Sequence, residues 1–182
     1  RAQRRRAIFL DRDGTVIRGI PRPELGRAAV AYGPWQINEI TFEPYVGEAM
    51  RIFKSFGYLT VFITNQPDVT HGLLPKARWQ KIFDIILNEA RPDAYYYCPH
   101  ARYEGCACKK PKPGMLLRAA KDLKINLEKS CMIGDTENDM LAGQRAGCQT
   151  ILIRRSYNLN NVAANGSADR VVNSLLEATT VV

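Results

Sequence analysis

The chain has 182 residues, of which 46% are hydrophobic and 24% charged, and its formal net charge is +8. This composition is ordinary for a globular protein and excludes wholesale disorder. No apolar run approaches the roughly 18 residues of a membrane-spanning helix, so no membrane partner is expected. The length favours a single domain over residues 1–182, in which residues 1–6 form a basic tail.

Short β-rich runs alternate along the chain with longer segments of helical periodicity. The apolar runs predict strands at 7–10, 58–64, 94–97, 131–133, 150–153 and, at an edge of the sheet, 170–172. Hydrophobic residues at three- and four-residue steps predict helices through Val46, Ala49, Met50, Phe53 and Phe56; Trp79, Ile82, Phe83, Ile86, Leu87 and Ala90; Met115, Leu116, Ala119, Ala120 and Leu123; and Met140, Leu141 and Ala146. This alternation predicts an α/β fold, with a parallel sheet and helices on both faces. Residues 16–40, rich in Pro and Gly, are predicted to form a long irregular insertion.

Carboxylates follow two of the predicted strands. Asp11 and Asp13 close the first strand, and Asp135 follows the fourth, with Asp139 four residues further on. The carboxyl ends of parallel strands meet at one edge of the sheet, so these groups are expected to lie together. There, one carboxylate could attack phosphorus, another could move protons, and their oxygens suit Mg²⁺. The residues alone also allow a turn after the first strand, and a helix cap at Asp135 or Thr136.

Neutral donors and a lysine lie in similar places. Thr64 and Asn65 end the second strand, and their hydroxyl and amide groups suit phosphate oxygens. Lys110 lies just before a predicted helix, where its charge could balance nearby carboxylates and a phosphate. A simple turn and a solvated basic loop are the plainer alternatives for these two segments.

Taken together and in this order, the four segments resemble the four motifs of the haloacid dehalogenase-like phosphatases, over residues 7–172. The resemblance implies a Rossmann-like domain and an aspartyl-phosphate mechanism. Asp11 would attack phosphorus, and Asp13 would act first as an acid and then as a base. Mg²⁺ would be held by Asp11, the Asp13 carbonyl and Asp135, with Asp139 holding a metal-bound water.

The same resemblance assigns roles to the remaining polar residues. Lys110 and Thr64 would stabilise the transferring phosphoryl oxygens. The predicted substrate-binding residues are Asn65, Lys109, Arg12 and His71.

A second cluster combines cysteine and histidine. The predicted zinc ligands, which bracket a five-residue loop within residues 98–108, are Cys98, His100, Cys106 and Cys108. Four such ligands suit a closed, structural Zn²⁺ site that fixes the loop leading to Lys110, and coincidence is the plainer alternative. Cys131 and Cys148 are predicted to be core residues. Five cysteines disfavour a disulfide scaffold and indicate a reducing, cytoplasmic location.

Within the family, the Cys-Pro-His and Cys-x-Cys arrangement resembles a group that lacks a large cap domain. This group holds D-glycero-D-manno-heptose 1,7-bisphosphate phosphatases and histidinol-phosphate phosphatases. The segment 112–116 is more similar to the heptose enzymes. The resemblance implies a monomeric, Mg²⁺-dependent phosphomonoesterase for a small phosphorylated metabolite. The leading substrate is the heptose bisphosphate at its 7-phosphate, and histidinol phosphate and other sugar phosphates are the alternatives.

Several departures from the group concern the choice of substrate. They are Lys109 in place of Arg, the Pro67–Asp68 pair, His71 in place of Arg, and the length of the insertion. Candidate contacts inside the insertion are Arg22, Arg27, Tyr32 and Trp35.

The sequence is compatible with two other classes of function. The basic charge allows a phosphatase domain that acts on nucleic-acid ends, but the zinc cluster favours the metabolite group, so nucleic acid is not an expected partner. A non-catalytic zinc-binding module is disfavoured because all four catalytic motifs are intact.

Overall fold

The computed structural model describes residues 5–25 and 31–182, so the predictions for residues 1–4 and for Arg27 lie outside the described residues. The strands are, in chain order, β1 (Arg6–Leu10), β2 (Ile20–Pro21), β3 (Ala31–Tyr32), β4 (Tyr58–Asn65), β5 (Ala94–Cys98), β6 (Cys131–Gly134), β7 (Gln149–Ile153) and β8 (Arg170–Val172). The α-helices are α1 (Val46–Ser55), α2 (Lys76–Ala90), α3 (Gly114–Leu123), α4 (Glu137–Ala146), α5 (Val162–Gly166) and α6 (Leu175–Ala178).

The main sheet is parallel throughout. Within the described residues it has six strands, in the order β5-β4-β1-β6-β7-β8. The α/β class, the Rossmann-like arrangement and the edge position of the last strand are therefore confirmed. The chain runs from β1 to β4 and β5 on one side, and then crosses to β6 on the other side of β1. Ligands of such sheets bind outside the carboxyl ends of the strands at this change of direction.

Two apolar layers cover the sheet, because side chains alternate between the two faces along each strand. On one face, Ile8 and Leu10 of β1 pack with α1, α2 and α6. On the other face, Ala7 and Phe9 pack with α3 and α4. All four side chains are 0% exposed, so β1 lies at the centre of the core. Among the described helices, none combines the length and apolar character that crossing a membrane requires.

Two predictions of local structure are wrong. Phe56 was placed in the apolar stripe of α1, but it is 50% exposed. The helix ends at Ser55, and Gly57 then turns the chain with a φ of 81°, which a glycine adopts without strain. The insertion 16–40 is not irregular throughout, because β2 and β3 pair as an antiparallel ribbon with Ile20 opposite Tyr32.

Glu39 organises the second half of the insertion. Its Oε2 accepts hydrogen bonds from Arg22 Nη2 at 2.8 Å and from the Trp35 N–H at 2.7 Å. The Arg22 guanidinium also lies 4.0 Å from the centroid of the Trp35 ring. Arg22 and Trp35, which were predicted as substrate contacts, are therefore engaged with each other and with Glu39.

Candidate active site

The predicted catalytic segments lie at the carboxyl ends of the central strands. Asp11 follows β1, Thr64 and Asn65 end β4, and Asp135 follows β6. The Asp11 N–H donates a hydrogen bond of 3.0 Å to the Ile133 carbonyl, which ties the ends of β1 and β6 together. The parallel register therefore brings side chains from three separate segments to one edge of the sheet.

Asp11, Thr64 and Asn65 line a cleft of about 1080 Å³, and Asp135 is buried next to Asp11. The insertion contributes Leu25, Tyr32 and Gly33 to its lining, and the 98–108 loop contributes Arg102 and Tyr103. The predicted site residues that line the cleft are Asp11, Asp13, Thr64, Asn65, His71, Lys109, Lys110 and Asp139.

Lys110 connects the buried carboxylates. Its Nζ donates to Asp11 Oδ1 at 2.7 Å, to Asp139 Oδ1 at 2.6 Å and to the Ile63 carbonyl at 2.8 Å. Burial favours the neutral amine, but the two carboxylates outweigh this effect and raise the pKa of Lys110. The lysine is therefore a fixed positive charge beside Asp11.

The carboxylates outnumber this lysine. Asp11, Asp135 and Asp139 offer ligand atoms that all lie within 4.8 Å of one another. Burial and the charge of Asp139 raise the pKa of Asp11 to about 7, and burial and Asp11 raise the pKa of Asp135. Within the described part of the chain, Asp135 Oδ1 is buried without a hydrogen-bond partner. A hard divalent cation held by Asp11 and Asp135 fits this excess of negative charge.

Asp139 has both of its oxygens engaged by protein groups. Oδ1 accepts from Lys110, and Oδ2 accepts from the N–H of Asp135 and from the N–H and hydroxyl of Thr136. Asp139 is the third residue of α4, so it closes the first turn of that helix as in a capping box. Its role in holding a metal-bound water stays a prediction, and its contacts make it an anchor for Lys110.

Tyr157 and Asn158, which follow β7 in the chain, fix the position of Asp135. The Tyr157 hydroxyl donates to Asp135 Oδ2, and the Asn158 amide donates to the Asp135 carbonyl at 2.8 Å. Burial and the charge of Asp135 raise the pKa of Tyr157, so its hydroxyl keeps its proton and remains a donor. With Oδ2 held in this way, Oδ1 is the oxygen left for a metal.

Asp13 lies in a separate set of hydrogen bonds. Arg12 donates to it through both Nε and Nη2, each at 3.0 Å, and Gln66 Nε2 donates to its Oδ2 at 2.7 Å. Arg12 is only 1% exposed. The structure therefore engages Arg12 with Asp13, and a direct contact between Arg12 and the substrate stays a prediction.

The other predicted substrate-binding residues are distributed along the cleft. The Asn65 amide bonds to the backbone of Lys110, and Lys109 Nζ donates to the His100 carbonyl at 3.1 Å. His71 is exposed at the cleft. The structure thus places Asn65, Lys109 and His71 at the cleft, and their contacts with a substrate stay predictions.

The four predicted zinc ligands also come together. Cys98 Sγ lies 3.6 Å from Cys106 Sγ and 3.2 Å from Cys108 Sγ, and His100 Nδ1 lies 3.5 Å and 3.2 Å from the sulfurs of Cys98 and Cys108. In a tetrahedral site with Zn–S bonds of about 2.3 Å and Zn–N bonds of about 2.0 Å, the ligand atoms lie at distances from one another similar to these. The donor set therefore fits Zn²⁺. The remaining two cysteines, Cys131 and Cys148, are buried in the core as predicted.

A relative from Haemophilus ducreyi is 34% identical to this chain over an alignment of 185 positions, which covers 95% of this chain and 96% of the relative. That relative is named D-glycero-beta-D-manno-heptose-1,7-bisphosphate 7-phosphatase. The HAD-hydrolase-like family model matches residues 107–178. The chain belongs to the haloacid dehalogenase-like phosphatases. The activity of this family is the hydrolysis of phosphoric monoesters, so the chain is a phosphatase.

Two further comparisons agree with this family. A relative of the same name from Helicobacter pylori is 34% identical over an alignment of 154 positions, which covers 81% of this chain and 82% of the relative. The phosphatase is also similar to the crystal structure of a D,D-heptose 1,7-bisphosphate phosphatase from B. bronchiseptica, complexed with magnesium and phosphate. The TM-score is 0.81, with 26% identity over 96% of each chain.

The sequence analysis assigned no catalytic, metal-binding or substrate-binding role to several residues of the phosphatase site. They are Gln66, Asp68, Tyr157 and Asn158. Asp68 is a carboxylate on the cleft wall that is only 6% exposed, and burial and the charge of Asp13 raise its pKa. The available clue was position, because each of these residues follows the carboxyl end of a strand within a few residues.

Proposed function

We propose that this phosphatase is Mg²⁺-dependent and removes the 7-phosphate of D-glycero-D-manno-heptose 1,7-bisphosphate. The observation that carries the chemistry is the pairing of Asp11 with Lys110 beside Asp135, whose Oδ1 has no hydrogen-bond partner among residues 5–25 and 31–182. The relatives named for this substrate match the chain over most of its length, which supports the choice of sugar.

In the first step, Asp11 attacks phosphorus in line with the leaving oxygen. Its Oδ2 receives no hydrogen bond from the described side chains, whereas Oδ1 is held by Lys110 at 2.7 Å. The bond from phosphorus to the sugar oxygen breaks, and Asp13 gives that oxygen its proton. Lys110 and Thr64 stabilise the negative charge of the phosphoryl group during its transfer.

In the second step, Asp13 takes a proton from water, and the water oxygen attacks the phosphorus of the aspartyl phosphate. The bond to Asp11 breaks and inorganic phosphate leaves. One residue serves both steps because the first step leaves Asp13 as the carboxylate that the second step needs.

The two metals have different roles in this proposal. Mg²⁺ would be held by Asp11, the Asp13 carbonyl and Asp135, and when bound it offsets the repulsion between the carboxylates and the substrate phosphate. Zn²⁺ would be held by the four ligands of the 98–108 loop and would fix the segment that leads to Lys110. A cytoplasmic location and a monomeric state stay predictions.

Basic side chains along the cleft support a substrate with a second anionic group. The residues of this kind in the lining are Arg102, Lys109, Lys112 and Arg145. Lys110 uses all three of its N–H donors on Asp11, Asp139 and the Ile63 carbonyl. Lys109, Lys112 and Arg145 each donate to one backbone carbonyl and keep further N–H donors for a distant phosphate.

Phosphate release from the heptose bisphosphate tests the proposal, with Mg²⁺ supplied or chelated. The wild type is expected to release one phosphate per sugar only when Mg²⁺ is supplied. Asp11→Asn is expected to lower turnover by at least about a thousandfold with an unchanged circular dichroism spectrum. Turnover that survives in Asp11→Asn would refute the assignment of the nucleophile, and turnover in chelator would refute the need for the metal.

A further inference from the structure

Gln66 is the centre of a buried hydrogen-bond network next to the cleft. Its Nε2 donates to Asp13 Oδ2 at 2.7 Å and to Thr64 Oγ1 at 3.0 Å. Its Oε1 accepts from Arg12 Nη2 at 2.8 Å and from Trp79 Nε1 at 3.3 Å. The residue is only 2% exposed, so water does not replace these partners. All four hydrogen-bonding positions of its amide are therefore filled by protein groups.

The neighbours of Gln66 allow its amide only one orientation. The Arg12 guanidinium and the Trp79 indole can only donate, so the amide oxygen must face them. Asp13 Oδ2, which also accepts from Arg12 Nη2, acts here as an acceptor, so the amide nitrogen must face it. A flipped amide would bring donor against donor and oxygen against carboxylate in a buried place, where each unmade bond is costly.

This orientation determines what Thr64 can do. Because Gln66 donates to Thr64 Oγ1, the threonine acts as the acceptor in that bond. In the described residues its hydroxyl hydrogen has no acceptor, and Thr64 borders the cleft although the residue is 0% exposed. The hydroxyl is therefore left as a donor for a phosphoryl oxygen.

The network also distinguishes the two oxygens of Asp13. Oδ2 accepts two hydrogen bonds, from Arg12 Nη2 and Gln66 Nε2, and Oδ1 accepts one, from Arg12 Nε. A carboxylate oxygen has two lone pairs, so the two accepted bonds leave Oδ2 no free site for a proton, whereas Oδ1 keeps one. Asp13 lines the cleft, and Oδ1 is its oxygen with a free site for a proton.

We infer that Gln66 is a positioning residue of the phosphatase site. It holds Asp13 so that Oδ1 carries the proton, and it holds Thr64 so that the hydroxyl donates to the phosphoryl group. This inference rests on the proposed function, because it assumes that Asp13 protonates the leaving oxygen. In that step the phosphorus–oxygen bond to the alcohol breaks, its electron pair goes to the oxygen, and the proton passes from Asp13 Oδ1 to that oxygen.

The dependence of rate on the leaving group tests the inference. An alkyl phosphate such as the heptose bisphosphate needs a proton on its leaving oxygen, whereas p-nitrophenyl phosphate releases a stable phenolate that does not. The ratio kcat/KM reports the steps up to departure of the alcohol, and so it isolates the acid role of Asp13. Gln66→Met, which keeps the length but removes the polar groups, is expected to lower kcat/KM about a hundredfold for the alkyl phosphate. For p-nitrophenyl phosphate the loss should be no more than about tenfold.

Two further variants complete the experiment. Gln66→Glu keeps an oxygen for Arg12 and Trp79 but loses both N–H donors, so it should show the same unequal loss at neutral pH. Gln80→Met, the same change on the exposed face of α2, should leave both substrates unaffected. Equal losses for the two substrates in both Gln66 variants, or wild-type rates in Gln66→Glu, would overturn the inference.

The wild-type controls separate this inference from the proposed function. If the wild type hydrolyses p-nitrophenyl phosphate and another alkyl phosphate but not the heptose bisphosphate, the substrate proposal fails. The leaving-group comparison is then made with that other alkyl phosphate and still decides the role of Gln66. If the wild type hydrolyses no alkyl phosphate, both the proposed function and the inference are wrong.

Discussion

Asn65 and Lys110, which are 45 positions apart in the chain, are joined by two hydrogen bonds that run in opposite directions. The Asn65 amide nitrogen donates to the Lys110 carbonyl at 3.1 Å, and the Lys110 N–H donates to Asn65 Oδ1 at 3.0 Å. The end of β4 thereby fixes the backbone from which the Lys110 side chain reaches Asp11. Asn65 thus acts on the site through the lysine.

Asn65→Ala is expected to lower kcat roughly tenfold to a hundredfold while the protein keeps its fold. The backbone of Lys110 would lose both side-chain partners, and a small displacement of Nζ from Asp11 is costly to phosphoryl transfer. Steady-state kinetics and thermal unfolding measure the two effects. Asn88→Ala, at an exposed position of α2, is the matched control. A variant of Asn65 with wild-type kcat would show that the pair does not position the lysine.

The hydrogen bond from Tyr157 to Asp135 predicts a weaker metal site in Tyr157→Phe. Asp135 would lose the donor that holds Oδ2, and removing such an outer partner commonly weakens metal binding about tenfold or more. Calorimetric titration with Mg²⁺ measures this directly, without reliance on activity. Tyr96→Phe removes a hydroxyl that bonds to Asp122 instead and should bind Mg²⁺ as the wild type does. Equal affinity in both variants would mean that Tyr157 does not orient the ligand.

Metal analysis of the purified protein is expected to find about one zinc per chain. Cys106→Ser should lose that zinc and much of its activity, because the 98–108 loop leads directly to Lys110. Cys131→Ala changes a buried cysteine of β6 and should keep the zinc. Zinc at full occupancy in Cys106→Ser, or its absence from carefully prepared wild type, would contradict the assignment of the cluster.

Glu39 predicts a pH-dependent contribution to stability. Burial disfavours its charge, but hydrogen bonds from Arg22 and from the N–H of Trp35 and Gln36 outweigh burial and lower its pKa below the ordinary 4.5. A lowered pKa stabilises the fold above the unfolded-state value, and this stabilisation is lost as the pH falls through the folded-state value. Glu39→Gln should therefore unfold about 2 °C lower than the wild type at pH 7.

The same comparison of thermal stability at acid pH tests whether Glu39 stabilises the fold in its carboxylate form. The difference between the wild type and Glu39→Gln should shrink as the pH falls below 4.5 and disappear once the pH lies below the lowered folded-state pKa of Glu39, where the residue is protonated in both the folded and the unfolded chain. Glu24→Gln, in the exposed first part of the insertion, should match the wild type at every pH. A difference that grows on acidification would show that Glu39 does not stabilise the insertion as a carboxylate.

Much of the fold was predictable because hydrophobic periodicity is a local property of the sequence. The strands through Phe9, Val61 and Met132 are continuous apolar runs, as expected of parallel strands buried on both faces. Phe56 misled the interpretation because an exposed aromatic just past a helix end continues the spacing by chance. The pairing of Ile20 with Tyr32 was missed because two-residue strands leave no periodic pattern.

The predicted site depended on a different kind of information. Asp11, Asp135 and Lys110 could be identified because motif and strand-end position agree. Gln66 and Tyr157 could not be assigned in the same way, because their roles depend on which side chain a distant segment brings to them. Contacts of this kind are tertiary, and no local pattern in the sequence records them.

The most direct test of the central claim is phosphate release with Mg²⁺, comparing both anomers of heptose 1,7-bisphosphate with histidinol phosphate under identical conditions. We expect at least one heptose anomer to be hydrolysed with a kcat/KM far above that for histidinol phosphate. A clear preference for histidinol phosphate would contradict the proposed substrate while leaving the phosphatase chemistry in place. Failure to hydrolyse any of the three would contradict the proposed function itself.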